Sequence, residues 1–252
     1  MDVPADSFVD GGFTPLFNEI VRFKENEKEG IFIPRESTSP ASRINSEEKG
    51  TMAIKTVIFD IGGVLVELGR YRFLEKRGFT GELAKRIMHA TMLSDDWVQM
   101  DLNRLSEDEI LQLFIQNDPE VEKELRHMFA DVNGIVEYKE ASLPWLRRVK
   151  EQGCQILYLS NYSHKIMREC SEALYFLPEM DGGLFSCDVH MVKPDPAFYQ
   201  ALIRKYNLVP DQCVFIDDLE ANLEAAGKLG MHTIRFQEQQ SAEEELYRLI
   251  RA

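Results

Sequence analysis

Three apolar runs in this 252-residue chain end in residues able to do chemistry. Val57-Ile58-Phe59 runs into Asp60, Leu157-Tyr158-Leu159 into Ser160-Asn161, and Val214-Phe215-Ile216 into Asp217-Asp218. Each run reads as a buried strand, and the tips of parallel strands open onto one crevice. Carboxylates crowded there repel one another and lose solvation, a cost that a divalent cation between them removes. Magnesium is the expected ion, because a few carboxylates and backbone oxygens hold it while water and phosphate oxygens complete its shell. Gly62-Gly63 leaves the backbone after Asp60 uncovered, so that amides there can approach a phosphoryl oxygen.

The elements that must position these residues follow from the pattern around them. Strand and helix alternate after residue 141: a helix over 143–152 stopped by Gly153, a strand over 155–159, a helix from Pro196 to Tyr206, a strand at 214–216, a helix over 219–229 stopped by Gly230, and a strand over 233–236. This alternation predicts an α/β fold, a Rossmann-like parallel sheet covered by helices on both faces. Between the first strand and that block, residues 69–140 read as helix after helix with no convincing strand. One of these helices is opened by Ser106 with Glu109 three residues on, another by Asp118-Pro119. They are read as an all-helical cap inserted into a core made of residues 52–68 and 141–252. Residues 1–51 are broken by Gly11-Gly12, Pro34 and Ser37-Thr38-Ser39-Pro40 and read as a disordered extension, within which Phe13 to Phe23 has the pattern of a short amphipathic helix. A chain starting at Met52 is expected to fold.

The runs Phe59-Asp60-Ile61-Gly62-Gly63-Val64-Leu65, Leu159-Ser160-Asn161, Lys193-Pro194-Asp195-Pro196 and Phe215-Ile216-Asp217-Asp218, in that order, resemble the four motifs of the haloacid dehalogenase-like (HAD) superfamily. The resemblance spans residues 54 to 236 and implies magnesium-dependent hydrolysis of a small-molecule phosphate ester through an aspartyl-phosphate. By position it implies that Asp60 is the nucleophile and a metal ligand, and that the Gly62 carbonyl and Asp218 are further ligands. Asp217 is expected as a ligand or a water-mediated partner of the ion. Ser160 and Asn161 would hold the transferring phosphoryl group, Lys193 would neutralise charge on it and on Asp60, and Asn222 would orient Lys193. The chain departs from the superfamily pattern at Gly62, where most of its phosphatases carry an aspartate serving as general acid and base. That loss predicts a preference for acidic leaving groups, blunted if water or a cap carboxylate substitutes. A subgroup with glycine there and a helical cap includes glucose-1-phosphate phosphatases, so a sugar phosphate is the expected substrate. The alternative is a scaffold of weakened turnover with a binding or regulatory role. Dehalogenation is disfavoured, having no use for paired metal-site carboxylates.

A net charge of -14 opposes attraction to nucleic acid or anionic lipid. Without an apolar run long enough to span a bilayer or a signal-like N-terminus, the expected location is cytoplasmic. The four cysteines, Cys154, Cys170, Cys187 and Cys213, are scattered and read as reduced thiols, and the five histidines show no metal-ligand spacing. In and near the cap, Glu67, His89, Asp96, Trp97 and Asp101 could reach a substrate, but helix surface or packing is the reading preferred for each. Glu107, Asp108 and Glu109 read as a favourably charged helix start.

Overall fold

The computed structural model describes residues 53–251; the extension expected over residues 1–51 lies outside the described residues. All four residues of β1 (Thr56–Phe59) are buried because β1 is the middle strand of five. It pairs with β4 (Gln155–Ser160) on one side and β6 (Cys213–Asp217) on the other, and β5 (Gly182–Phe185) and β7 (His232–Arg235) close the edges. The order is β5-β4-β1-β6-β7 with every pair parallel, so the tips of β1, β4 and β6 lie side by side. Both faces of the sheet are apolar, as a strand sandwiched between helices requires. On one face Ile58, Leu157, Leu159 and Phe215 pack with Phe198, Tyr199 and Leu202 of the helix Pro196–Tyr206. On the other, the Phe59 ring meets Trp145 of the helix Ser142–Glu151 edge-on at 5.0 Å, and Trp145 stacks on Phe236 at 5.9 Å.

β5 escapes sequence reading because it opens with two glycines, which carry no strand signal. They are there for close approach. A Cβ at Gly183 would lie 2.4 Å from the Tyr158 carbonyl oxygen of β4, and one at Gly182 would lie 2.2 Å from the Tyr206 hydroxyl, which accepts the Gly183 N–H at 2.7 Å. Gly183→Ala is therefore expected to cost about 2–3 kcal/mol by forcing β5 away from β4. The check is a denaturant titration of both proteins.

Residues 70–130 form helices as expected: Arg70–Lys76, Gly81–Ala90, Val98–Leu102, Glu107–Asn117 and Glu122–Ala130. Ser106 and Glu109 close a capping box, each side chain bonding the other's backbone N–H. The expectation of no strand over residues 69–140 needs correction near its end. Val66–Leu68 (β2) and Val136–Tyr138 (β3) pair antiparallel, Val66 opposite Tyr138 and Leu68 opposite Val136, so that a two-stranded ribbon carries the chain into and out of the cap. Three residues per strand, mostly outside the core, are too few for a period-2 pattern to register. Among the described residues no helix is long and apolar enough to cross a membrane. The four cysteines are all buried and none is in a disulfide.

Candidate active site

The sheet sets the first site residue directly. The Asp60 N–H donates to the Ile216 carbonyl at 2.9 Å, carrying the pairing of β1 with β6 one residue past the strand. The Ile61 carbonyl then accepts the N–H groups of Leu65 at 2.9 Å and Val66 at 3.0 Å, folding residues 61–66 into a tight loop. Gly63 sits at φ +77°, and a Cβ there would lie 2.8 Å from Asp218 Oδ2, so glycine is what lets this loop lie against β6's acidic tip. Gly62 is different. A Cβ there would meet only Leu68 Cδ2, at 3.8 Å, leaving room for a side chain that the sequence does not supply.

Asp60 Oδ1 accepts from the Ile61 N–H and the Ser160 hydroxyl, both at 2.7 Å, and lies 2.8 Å from Lys193 Nζ. The same ammonium donates to Asp217 Oδ2 at 2.7 Å. Asp217, fully buried, also accepts the Leu219 N–H at 2.8 Å and the Asn222 amide at 3.0 and 3.1 Å. Asn161 clamps the lysine's backbone, its Oδ1 accepting the Lys193 N–H at 2.8 Å and its Nδ2 donating to the Lys193 carbonyl at 3.0 Å. Two chain segments thus meet at one buried ammonium, and a third holds the lysine's backbone.

The electrostatics follow from this crowding. Burial is the largest influence on Asp60 and, with the nearby Asp217 charge, pushes its carboxyl up to about 6 against the opposing pull of Lys193. Burial alone would lower the Lys193 ammonium, but Asp60 and Asp217 outweigh it and hold it above the usual lysine range. Burial and then Asp217 raise Asp218. Oxygens of Asp60, Asp217 and Asp218 lie within 4.8 Å of one another, so when all three are ionised a single lysine leaves a surplus of negative charge. A hard divalent cation suits that surplus. Both oxygens of Asp217 already have donors, which favours its role as the anchor of Lys193 over direct ligation. Asn222 reaches Lys193 one bond removed, through Asp217.

A cleft of about 320 Å³ opens above these groups, with Asp60, Gly62, Asn161, Lys193 and Asp218 among its lining residues. Of the five residues singled out in and near the cap, Trp97 and Asp101 line it. Glu67 faces Arg72 at 3.9 Å, His89 is exposed on its helix, and Asp96 accepts from the Asn117 amide at 2.9 Å. Sequence reasoning missed Arg70 and Tyr162, which also line the cleft. Arg70 follows the ribbon with no motif to mark it; Tyr162, two residues past the Ser160 strand tip, was within reach of the rule that such tips face ligands. Glu107 is more than a helix start, pairing with Arg168 at 2.8 Å and Lys165 at 3.2 Å across to the core. His164 and Asp188 pair at 3.0 Å beside Cys187, a grouping that the spacing of the histidines did not reveal.

Several known proteins are similar to this chain. The sesquiterpene phosphatase AstK of Aspergillus oryzae is 23% identical over 70% of this chain and 87% of its own length. A (S)-2-haloacid dehalogenase of Burkholderia cepacia is 22% identical over 74% and 84%. The pig bifunctional epoxide hydrolase 2 is 28% identical over 77% of this chain but only 38% of its own, and the chain spans well under half the length of the longer curated relatives it matches. Among solved structures, a HAD family enzyme of Bacteroides thetaiotaomicron in complex with magnesium and inorganic phosphate superposes with a TM-score of 0.55 at 21% identity, covering 75% of this chain and 98% of that one. The sequence profile of the haloacid dehalogenase-like hydrolases itself matches residues 54–230, the stretch that holds four of the five strands of the parallel sheet, the acidic strand tips and the buried lysine, and to that hydrolase family the chain belongs.

Proposed function

We propose that this hydrolase cleaves small phosphate monoesters, sugar phosphates being the expected class, with magnesium and through an aspartyl-phosphate on Asp60. The observation that carries the reading is the excess of carboxylate over cation at the strand tips: Asp60, Asp217 and Asp218 together, with only Lys193 bonded among them. A magnesium ion held by Asp60, Asp218 and the Gly62 carbonyl would supply charge neutralisation between the carboxylates and an incoming phosphate.

Within that frame each residue has a physical task. Asp60 attacks phosphorus. Ser160, whose hydroxyl now donates to Asp60, and the adjoining Asn161 main-chain amide would hold phosphoryl oxygens. Lys193 offsets the charge that builds up on phosphate and nucleophile, and Asp217, Asn161 and Asn222 keep it aimed. The cap would limit the access of water to the reacting centre, with its Trp97 and Ile135 lining the cleft.

The test is a screen of sugar, aryl and terpenyl phosphates, with 2-chloropropionate as the dehalogenation control. Phosphate release is expected with magnesium and should fall at least ~100-fold in excess chelator, returning when magnesium is restored. Full activity in chelator, or halide release in its place, would overturn the mechanism. A clear preference for terpenyl over every sugar phosphate would move the substrate class to apolar esters.

A further inference from the structure

The phosphatase reading leaves a proton without a carrier. Position 62 holds no acid, and the space a side chain would take there is open. We propose that Asp101, on the cap helix Val98–Leu102, is the general acid of the reaction, and that it serves as the base of the second half. This proposal rests on the phosphatase reading and assigns its missing role.

Placement is the first argument. Asp101 lines the same cleft as Asp60, Gly62 and Lys193, and its main chain is pinned to the core. The fully buried Ser186 hydroxyl donates to the Asp101 carbonyl at 2.8 Å and accepts the Tyr162 N–H at 2.9 Å, so one oxygen sets both residues. The next residues reinforce the attachment. The Leu102 carbonyl lies 2.8 Å from His190 Nδ1, and Arg104 donates to the His190 carbonyl at 2.7 Å. Asn103 ends the helix at that point in a left-handed conformation, φ +48°. These bonds fix the backbone of the helix that brings Asp101 to the cleft lined by Asp60, Lys193 and Asp218.

A second observation is independent of the first. The Tyr162 hydroxyl is buried and has no hydrogen-bond partner among the described residues, and Tyr162 is one of the residues that line the cleft. An orphan hydroxyl beside a carboxyl suits a polar atom brought by the substrate, and the bridging ester oxygen is the atom that needs both. The charged groups facing Asp101 are Lys193, Asp60 and Arg70, with the Tyr162 hydroxyl nearby. Burial dominates them and pushes the Asp101 carboxyl up to about 7, a range in which an acid can keep its proton near neutrality and still release it.

The steps balance. A carboxylate oxygen of Asp60 forms a bond to phosphorus as the ester P–O bond breaks, and the Asp101 proton passes to the departing oxygen, which leaves as an alcohol. Water then attacks the aspartyl-phosphate and gives a proton to the Asp101 carboxylate. The acyl P–O bond breaks, inorganic phosphate leaves, and both carboxyl groups return to their starting state.

The experiment compares wild type, Asp101→Asn and Asp101→Glu on a hexose 6-phosphate and on 2,4-dinitrophenyl phosphate, whose leaving group needs no proton. Asp101→Asn is expected to lose ~10²–10³-fold in kcat/KM on the sugar phosphate, the usual worth of a general acid, and less than about fivefold on the dinitrophenyl ester. On that ester kcat should fall and a burst of phenolate should appear, because breakdown of the phosphoenzyme has lost its base. Asp101→Glu should recover part of the loss, and so should Gly62→Asp added to Asp101→Asn. The preference for acidic leaving groups expected from Gly62 alone should thus be shallow in wild type and steep in the variant. Equal losses in kcat/KM on both esters, or no loss on either, would overturn the proposal while Asp60→Asn, inactive on both, kept the phosphatase reading. If wild type hydrolyses neither ester nor any other phosphate, both readings fall together. Should Asp101→Asn melt early, Asp101→Ser reads the same contrast.

Discussion

Asp60→Asn is expected to cost at least ~10⁴-fold in turnover, the scale seen when a covalent nucleophile is removed, and to leave the fold in place. The substitution keeps the atoms that the surroundings use: Asn retains an oxygen for the Ile61 N–H and the Ser160 hydroxyl, and Lys193 keeps its second partner, Asp217, at 2.7 Å. What is lost is the negative charge and the attack on phosphorus. Steady-state kinetics on the best ester of the screen, beside a melting curve, separates the two. Retention of activity within about tenfold would remove the covalent route.

Lys193→Met is the second large effect, and here stability should fail along with activity. Removing the ammonium leaves two buried carboxylates facing each other with no cation, and breaking a buried pair in this way costs about 3–5 kcal/mol. Adding Asp217→Asn to Lys193→Met should recover most of that loss, because one of the two stranded charges goes with it. Activity should stay absent in the double variant. The measurement is a double-mutant cycle by denaturant titration in chelator. Additive losses would show that Lys193 and Asp217 do not share the ion pair seen in the structure.

The sheet was legible because its central strands are buried on both faces, so Val57-Ile58-Phe59 and Val214-Phe215-Ile216 stand out as unbroken branched or aromatic runs. Each of these, and Leu157-Tyr158-Leu159, ends in a polar residue where it opens on the cleft. The helix Pro196–Tyr206 was read to the residue, since Asp195 caps it and proline is its first residue. The strands β2, β3 and β5 were not legible: short or glycine-led, they owe their conformation to their neighbours. The same limit hid part of the site. Lys193 stood out by the company of Pro194-Asp195-Pro196, but Arg70 acquires meaning only when a cleft forms around it. Asp101 was singled out and then weighed as helix surface, because the Ser186 hydroxyl that pins its backbone lies 85 residues away.

The ribbon of β2 and β3 has a consequence for how this protein can change over generations. Because the Gly69 N–H donates to the Ile135 carbonyl at 3.0 Å, the cap begins and ends about one strand spacing apart, roughly 5 Å. To the core, the cap is therefore a hairpin loop of arbitrary length. Closing such a loop costs only about 0.6 kcal/mol more for each doubling of its length, so the inserted helices can be lengthened, shortened or exchanged wholesale with little strain on the sheet. New substrates are within reach by trading one module. With Asp101 as the acid, the trade has a condition attached: an incoming cap must bring its own proton donor, or land in a chain where position 62 has regained one.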